Sequence, residues 1–318
     1  MKITLDLSKL VEDGKLTAEE AERLKALASR ETGSLAVNIL IGFGVISIAV
    51  GAVSLLPSAS TVVALGILLF MLGLVVVLNK VTQWAVFGQI CLVTGALMFS
   101  GGVIGEMEGS VASMLIVTAA LAAASFASRS SLLAALAVIA LSGTLGARTG
   151  YQHATYSLAI FEPTLTVLLF SALALVAYSG SLRLSADYER IALMVSRTSI
   201  LLVNFGFWIG SLWGDPLFLL RGFKGHNPAV MMQNIVIPPY VFSIGWALAL
   251  IGAALWAVTV NRRWLVNIAA AFGAIHFYTQ WFERLGATPL SVLGGGVLML
   301  AIAYGLYVFN KKMRATTT

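Results

Sequence analysis

Charged residues are scarce along most of this 318-residue chain. The chain has 20 lysines and arginines and 14 aspartates and glutamates, and thirteen of these charges lie within the first 31 residues. The remaining 287 residues are therefore only about 7% charged, whereas soluble domains are usually about 25% charged. So few charges cannot cover the surface of a water-soluble protein of this size. The composition excludes a soluble enzyme, a disordered chain and a nucleic-acid-binding protein.

Residues that carry catalytic or metal-binding chemistry are equally rare. Cys91 is the only cysteine, so no intramolecular disulfide can form, and the three histidines lie far apart in the sequence. The chain contains no Walker A pattern, HExxH, GxSxG or CxxC motif. We therefore predict no catalytic residue, no cofactor and no metal site.

Long apolar runs dominate what is present, since 59% of the residues are hydrophobic. A helix needs about 20 apolar residues to span the hydrocarbon core of a bilayer. Ten runs approach this length, and they occupy residues 35–56, 60–79, 82–105, 110–127, 130–147, 163–179, 191–213, 239–260, 264–283 and 289–310. Only Ser128 and Arg129 separate the fourth run from the fifth, so nine or eleven spans remain alternatives. We predict an all-α fold, a polytopic membrane helical bundle of about ten transmembrane helices that has the lipid bilayer as its solvent.

Basic residues and prolines independently predict the orientation of these helices. Cytoplasmic segments of membrane proteins carry an excess of lysine and arginine. If both termini are cytoplasmic, nine basic residues beyond the N-terminal segment lie on the inner side and four on the outer side. All seven prolines then fall at outer helix ends, where a helix loses no backbone hydrogen bond to proline. Both patterns favour cytoplasmic N- and C-termini.

The sequence divides into a short cytoplasmic helical module (1–33), a transmembrane helical domain (34–310) and a basic cytoplasmic tail (311–318). In the module, residues 6–13 resemble a short helix that stops at Gly14, and Thr17 with Glu20 matches a capping box at the start of a second helix. Two helices of this size cannot fold alone. They must pack on the membrane domain, on a second copy of the chain or on a partner, unless they form a solvated helix that leads into the membrane.

Glycines recur at helical spacing inside two of the runs. The third run contains Gly88, Gly95 and Gly102 at seven-residue intervals, and the seventh contains Gly206 and Gly210. Small residues on one face let two membrane helices approach closely. We predict that these five glycines pack helices together; a glycine-lined lumen or hinge is the alternative.

Polar residues at membrane depth are the candidates for function, because they are costly in lipid. His276, Gln280 and Glu283 share one face of the ninth run, since they are spaced at i, i+4 and i+7. This stripe should face the bundle interior or a wet cavity. With Asn204 and Gln89 it forms a candidate polar pathway; hydrogen bonds to neighbouring helices are the alternative role for all of these side chains.

Acidic residues outside the N-terminal module gather near the predicted outer helix ends. Glu106, Glu108, Glu162 and Asp215 form a candidate outer rim, which Glu283 would join. Glu162 precedes Pro163 and is therefore predicted to be a helix N-cap, where a carboxylate interacts well with the helix dipole. The longest predicted external loop, 215–238, either lies in the interface or re-enters the bundle.

Three stretches carry a resemblance to a known family. Residues 14–24, GKLTAEEAERL, 92–109, LVTGALMFSGGVIGEMEG, and 282–306, which begin with FERLG and contain three consecutive glycines, resemble a family of bacterial predicted membrane proteins known only as a domain of unknown function. The resemblance implies a multi-pass protein of the bacterial cytoplasmic (inner) membrane. It implies no activity.

Two functions from different classes fit these observations. The first is transport or permeation of a small solute or ion, since ten helices in about 300 residues is also the format of drug/metabolite-type transporters. The second is a non-catalytic scaffold or accessory subunit that recruits a membrane-protein partner through the N-terminal module or forms a homo-oligomer. An intramembrane enzyme is a third alternative, with only His276 and Glu283 as acid–base candidates.

Overall fold

A computed structural model describes residues 10–11, 14–79, 84–152, 155–217, 237–260 and 262–315 of the chain. In these residues ten long helices follow one another, and each overlaps one of the ten predicted apolar runs. They are α1 (Ala18–Leu55), α2 (Ala59–Leu78), α3 (Ala85–Glu106), α4 (Val111–Ser128), α5 (Ser131–Thr144), α6 (Pro163–Ser181), α7 (Ala186–Trp213), α8 (Pro239–Thr259), α9 (Arg263–Leu285) and α10 (Pro289–Ala315). The prediction of a helical fold is confirmed.

Six of these helices are long and apolar enough to cross a membrane, counted over the described residues. They are α2, α3, α4, α6, α7 and α8, and shorter apolar stretches occur in α1, α5 and α10. α9, which carries the predicted polar stripe, is in neither group. Large apolar side chains are also exposed along the helices, for example Leu55, Ile48 and Leu290 at 82%, 74% and 78%. Lipid accounts for such exposure far better than water does, and the chain is a membrane-embedded protein.

The helix ends follow from local sequence. Thr17 is the N-cap of α1, and the Glu20 amide donates to its hydroxyl (3.2 Å) while the Thr17 amide donates to the Glu20 carboxylate (2.9 Å). This is the predicted capping box. Pro163, Pro239 and Pro289 each begin a helix, as expected for a residue without an amide proton. Arg129, at φ 53°, ends α4 in the left-handed conformation and so separates the fourth and fifth runs into two helices.

The predicted boundary at residue 33 has no counterpart in the backbone. α1 runs without interruption through 38 residues, so the charged segment from Ala18 onward is the beginning of the first apolar helix. Gly14 has a positive φ of 67° just before it, consistent with the predicted stop. The predicted helix at 6–13 lies outside the described residues except for Leu10 and Val11, which are helical. α10 likewise continues through residues 311–315 of the predicted tail.

The chain divides into two compact units, Met1–Leu133 and Ala134–Thr318. In the first unit, α2 and α3 form the most extensive contact, and α1 and α4 pack beside them. A Cβ on Gly95 would lie 2.3 Å from the Phe70 amide nitrogen, and one on Gly66 would lie 2.5 Å from that of Phe99. Gly88 and Gly102 make similarly close approaches to Val76 and Val63. Gly88, Gly95 and Gly102 of α3 therefore face α2, as helix packing requires.

The second unit contains α6 to α10, most of α5, and one element that the sequence analysis did not predict. Strands β1 (Arg148–Gln152) and β2 (Thr155–Ala159) form an antiparallel hairpin with Gln152 paired to Thr155. Threonine and tyrosine recur along both strands, and such residues favour extended backbone. The hairpin departs from the predicted all-α fold.

Consecutive helices of the second unit pack against each other, from α6 against α7 to α8 against α9. A Cβ on Gly206 would lie 3.2 Å from the Thr166 side chain of α6, and one on Gly210 would lie 2.5 Å from the Phe242 ring of α8. Two apolar clusters form the core: one around Phe170 and Leu202, the other around Trp246 and Phe272. α7 contributes to both clusters and is the central helix among those that form the candidate site.

Candidate functional site

Three of the five residues in the predicted polar pathway lie in the second unit and are at least partly buried. Asn204 is on α7, and His276 and Gln280 are on α9. Glu283, one turn beyond Gln280, is exposed. Gln89 belongs to the first unit, where it is exposed on α3 in a surface groove beside Val86 and Ile90. The structure therefore supports a local polar cluster around Asn204 and His276, without Glu283 or Gln89 as members.

Asn204 links two helices through its side-chain amide. Its Oδ1 accepts a hydrogen bond from Trp246 Nε1 of α8 (2.9 Å), and its Nδ2 donates to the Ile200 carbonyl of its own helix (2.8 Å). Asn204 is 5% exposed and Trp246 is fully buried. A buried indole N–H needs an acceptor, and Asn204 provides it. Sequence reasoning identified Asn204 but missed Trp246, because an aromatic residue in an apolar run carries no distinguishing signal.

Trp246 also connects Asn204 to the predicted stripe on α9. The His276 ring meets the Trp246 ring edge to face, with centroids 4.9 Å apart. Nδ1 of His276 and Nε2 of Gln280 are buried and have no hydrogen-bond partner among the described residues. The neighbouring α9 residue Thr279 is different, because its hydroxyl accepts from Trp208 Nε1 of α7 (3.1 Å). His276 and Gln280 are thus partly buried against protein and retain unused hydrogen-bonding capacity, whereas Glu283, the third residue of the stripe, is exposed.

An apolar cavity of about 450 Å³ lies among α6, α7, α8 and α9, and both Asn204 and Trp246 line it. Its volume is within the range of about 300–1,000 Å³ typical of small-molecule sites. Small residues create the space and aromatic rings line it, including Ala174 and Tyr178 of α6, Ser196 and Asn204 of α7, Ala253 and Trp256 of α8, and Trp264 and Ala269 of α9. No motif could reveal this cavity from the sequence, since its lining comes from four separate helices.

At one end of the cavity, two aromatic rings of the lining each contact an arginine that is itself outside the lining. The Arg197 guanidinium lies 5.0 Å from the centroid of the Trp264 ring, and that of Arg262 lies 5.7 Å from the centroid of Tyr178. Tyr178 in turn contacts Trp256 edge to face at 5.4 Å. This end, which we call the arginine end, lies near the last turns of α6 and α8 and the first turn of α9.

The predicted acidic rim is not a set of equivalent exposed carboxylates. Glu106 and Glu108 are exposed in the first unit, as Glu283 is in the second, but Glu162 and Asp215 are 1% and 0% exposed. The prediction that Glu162 and Asp215 belong with Glu106 and Glu108 to one outer rim is therefore corrected, because these two carboxylates are buried.

Asp215 is held by backbone groups. Its Oδ2 accepts from the Thr164 amide in the first turn of α6 and its Oδ1 from the Leu217 amide, both at 2.8 Å. Its backbone pairs with Ile237 in an isolated β-bridge. The carboxylate therefore caps α6, where the helix dipole favours negative charge. The backbone bridge to Ile237 connects the residues after α7 to those before α8.

Glu162 occupies the N-cap position of α6, as predicted from Pro163. Its burial places a second carboxylate at the N-terminus of the same helix.

The prediction that the 215–238 loop lies in the interface or re-enters the bundle falls outside the described residues, because the structure does not describe residues 218–236.

Within the described residues, no three histidine, cysteine, aspartate or glutamate side chains lie together as a metal-binding group would require. Cys91 is buried in α3. The cavity among α6 to α9 is suited to hold a small molecule, because aromatic and small apolar side chains line it together with a few polar groups.

None of the protein-family models, curated proteins or solved structures with which the chain was compared matches it. The resemblance to the bacterial membrane-protein family stays a prediction.

Proposed function

We propose that this protein binds a small, predominantly apolar solute in the cavity among α6 to α9 and carries it across or within the membrane. The supporting observation is the cavity of about 450 Å³, which is lined by aromatic and small apolar side chains. Sites for small molecules are usually mostly apolar with a few polar groups that orient the ligand. Asn204 and Ser196 are such groups here.

The lining favours a solute over a permeating ion. None of the described side chains that line the cavity is an acid, and the acids of the predicted rim are either exposed elsewhere or buried near the N-terminus of α6, as Glu162 and Asp215 are. An inorganic cation at membrane depth needs charged or multiple oxygen ligands to replace its hydration shell. An apolar solute needs none of these.

His276 and Gln280 are proposed to continue the solute path beyond Trp246. Each has a buried nitrogen without a partner among the described residues, and an unpaired buried polar atom is costly. A polar group of the solute that passes the Trp246 indole can satisfy them. Glu283 and Gln89 have no part in this path, because they are exposed away from the cluster.

The proposed setting is a bacterial cytoplasmic membrane, crossed by all ten helices with both termini on the inner side. The distribution of basic residues and prolines supports it, as does the match between the ten apolar runs and the ten helices. In this setting the cavity is reached from the bilayer, which concentrates apolar solutes around the protein.

The experiment uses the purified protein in nanodiscs of zwitterionic lipid and a dibrominated long-chain alcohol as a neutral probe. Bromine quenches tryptophan fluorescence on contact, and Trp246, Trp256 and Trp264 line the cavity. We expect saturable quenching of the unaltered protein. Ala253→Leu fills the cavity and should weaken the affinity about tenfold, in line with an overpacking cost of about 1–3 kcal/mol.

Gly252→Leu is the matched control, because a Cβ at the neighbouring position 252 meets nothing within 4 Å. It should retain the affinity of the unaltered protein. Quenching that is unsaturable and equal in all three proteins would reject binding in the cavity. Carriage is then measured as release of the probe from proteoliposomes, which should be slowed by Ala253→Leu and unchanged by Gly252→Leu.

A further inference from the structure

We propose that the ligand of the cavity is a single-chain amphipathic carboxylate, whose acidic group binds at the arginine end between Arg197 and Arg262 while its apolar chain occupies the space among α6 to α9. The inference rests on the proposed function and specifies the chemistry of its ligand. Its support comes from the position of the two arginines, the hydrogen-bond donors near them and the shape of the cavity.

Both arginines are positioned by aromatic residues that line the cavity. Arg197 lies over Trp264 at 5.0 Å, and Arg262 lies over Tyr178 at 5.7 Å. Stacking on the face of a ring orients a guanidinium but leaves the N–H groups at its edge available. The two planar donors therefore lie against the lining residues Trp264 and Tyr178, Arg197 as an exposed side chain of α7 and Arg262 as a half-buried one just before α9.

Neither positive charge is neutralised by a carboxylate within the described part of the chain. The ion pair that the structure shows near the start of α7 joins Arg190 to Asp187, two turns or more before Arg197. Charge complementarity therefore favours an anion at the arginine end, and it disfavours a cation. A guanidinium binds a carboxylate through two parallel hydrogen bonds, which makes this the strong pairing for such a group.

A further donor is present on the lining itself. Nε1 of Trp264 is buried and has no hydrogen-bond partner among the described residues, although Trp264 lines the cavity. An indole N–H can only donate, so the group that satisfies it must be an acceptor such as a carboxylate oxygen. The Ser196 hydroxyl lies on the same lining and can donate as well.

The remaining surface specifies the body of the ligand. Apart from a few polar groups, the lining consists of alanine, leucine, isoleucine, valine and aromatic side chains. A volume of about 450 Å³ is in the lower half of the range for drug-sized ligands, and it suits one chain better than a two-chain phospholipid. The alternative is that the two arginines only anchor their helices at the membrane interface, beside an aromatic belt. In that case the protein would bind the acid and a neutral ligand of the same length equally well.

The test compares a dibrominated long-chain fatty acid with the dibrominated alcohol of the same chain length, by tryptophan quenching in zwitterionic nanodiscs. In the unaltered protein we expect the acid to bind about tenfold more tightly than the alcohol, as one charge-assisted pairing would give. Arg197→Gln and Arg262→Gln should each remove most of this preference without changing the affinity for the alcohol. Arg263→Gln, at an exposed neighbouring position, should leave both affinities unchanged.

Equal affinity for acid and alcohol in the unaltered protein would overturn the inference while leaving the proposed function intact, and this comparison needs no variant to fold. Loss of preference in Arg263→Gln to the same extent would overturn it too, since a general surface charge would then be responsible. Displacement of the acid by anionic phospholipid in the disc would overturn the assignment to a single-chain carboxylate. Failure of both probes to bind saturably would reject the proposed function itself.

Discussion

At the scale of single residues, side chains that look alike in the sequence have different roles. Gly95 and Gly101 are both glycines of α3, but a Cβ on Gly95 would lie 2.3 Å from the Phe70 amide nitrogen whereas one on Gly101 meets nothing within 4 Å. Glu106 and Glu162 both lie at helix ends, yet the first is exposed and the second is buried. These differences arise from contacts with neighbouring helices. The contacts of Gly95 and of Asn204 can each be tested by substitution.

Gly95→Ala should destabilise the protein by about 1–3 kcal/mol, because the methyl group forces α2 and α3 apart. The loss is measured by thermal unfolding of the purified protein in detergent. Gly101→Ala is the control on the same helix, and it should be neutral or stabilising by up to about 1 kcal/mol, as alanine favours a helix over glycine. Equal destabilisation by both changes would contradict close packing at Gly95.

The Asn204–Trp246 hydrogen bond should behave as a coupled pair. Asn204→Leu leaves the buried Trp246 N–H without its acceptor and should cost about 1–3 kcal/mol. When Trp246→Phe is combined with it, the total cost should be less than the sum of the two single changes, since no orphaned donor remains. Unfolding of the two single variants and the double variant measures this coupling; additive costs would show that the bond contributes nothing.

At the scale of elements, the N-terminal segment is better understood as the beginning of a helix than as a separate module. α1 has 38 residues, about 57 Å at 1.5 Å per residue, which is nearly twice the hydrocarbon thickness of about 30 Å. Its charged beginning therefore forms a projection beyond the apolar stretch at Leu40–Leu55. The capping box at Thr17 determines where this projection begins.

The capping box should make the start of α1 sensitive to acid. The backbone hydrogen bond from Thr17, and then its hydroxyl, hold the pKa of Glu20 below its usual value of 4.5. A lowered pKa in the folded helix means that the bonds stabilise α1 above the unfolded-state pKa, and that this contribution is lost as the pH falls through the folded-state value. Amide hydrogen exchange in the first turn of α1 should accordingly increase on acidification, relative to later turns.

Glu20→Gln is the control, because glutamine also completes a capping box but does not titrate. Its first turn should remain protected, with no acid-dependent loss relative to later turns. In Glu20→Ala the Thr17 amide should be unprotected at every pH, because its side-chain acceptor is gone. If acid affects Glu20→Gln and the unaltered protein equally, then the cause is not the Glu20 carboxylate.

At the scale of the whole molecule, the two units differ in how their helices meet. In the first, glycines bring α2 and α3 into backbone contact, which leaves little room for a ligand between them. In the second, alanines opposite tryptophans leave a cavity among four helices. This contrast supports binding in the second unit. The alternative role as a scaffold that recruits a partner through the N-terminal segment stays a prediction.

The proposed topology can be tested with single cysteines in a Cys91→Ala background. Ser185→Cys lies between α6 and α7, on the proposed inner side, and Ala287→Cys lies between α9 and α10, on the outer side; both positions are exposed. In intact cells a membrane-impermeant maleimide should label position 287 and not 185, and permeabilisation should make both reactive. Labelling of both or neither in intact cells would contradict ten spans with cytoplasmic termini.

The ten apolar runs predicted the helices because the requirement to bury backbone polar groups in lipid acts on every residue of a span. Local rules also predicted their ends, as Thr17, Pro163 and Pro239 show. The β1–β2 hairpin was missed, since it is short and lies in a segment between two strong helical patterns. Seven-residue spacing likewise identified Gly88, Gly95 and Gly102, because helix geometry alone puts them on one face.

The amino-acid sequence by itself determined that this is a helical membrane protein, where its apolar helices lie along the chain, and that Thr17, Pro163 and Pro239 mark helix starts. Only the tertiary structure decided that Asn204 bonds Trp246, that Asp215 caps α6 and that Arg197 and Arg262 lie over aromatic rings of an apolar cavity. The physical reason is that hydropathy and helix propensity are sums over neighbouring residues, whereas a cavity or a hydrogen bond between helices depends on residues distant in the chain, at distances that only packing sets.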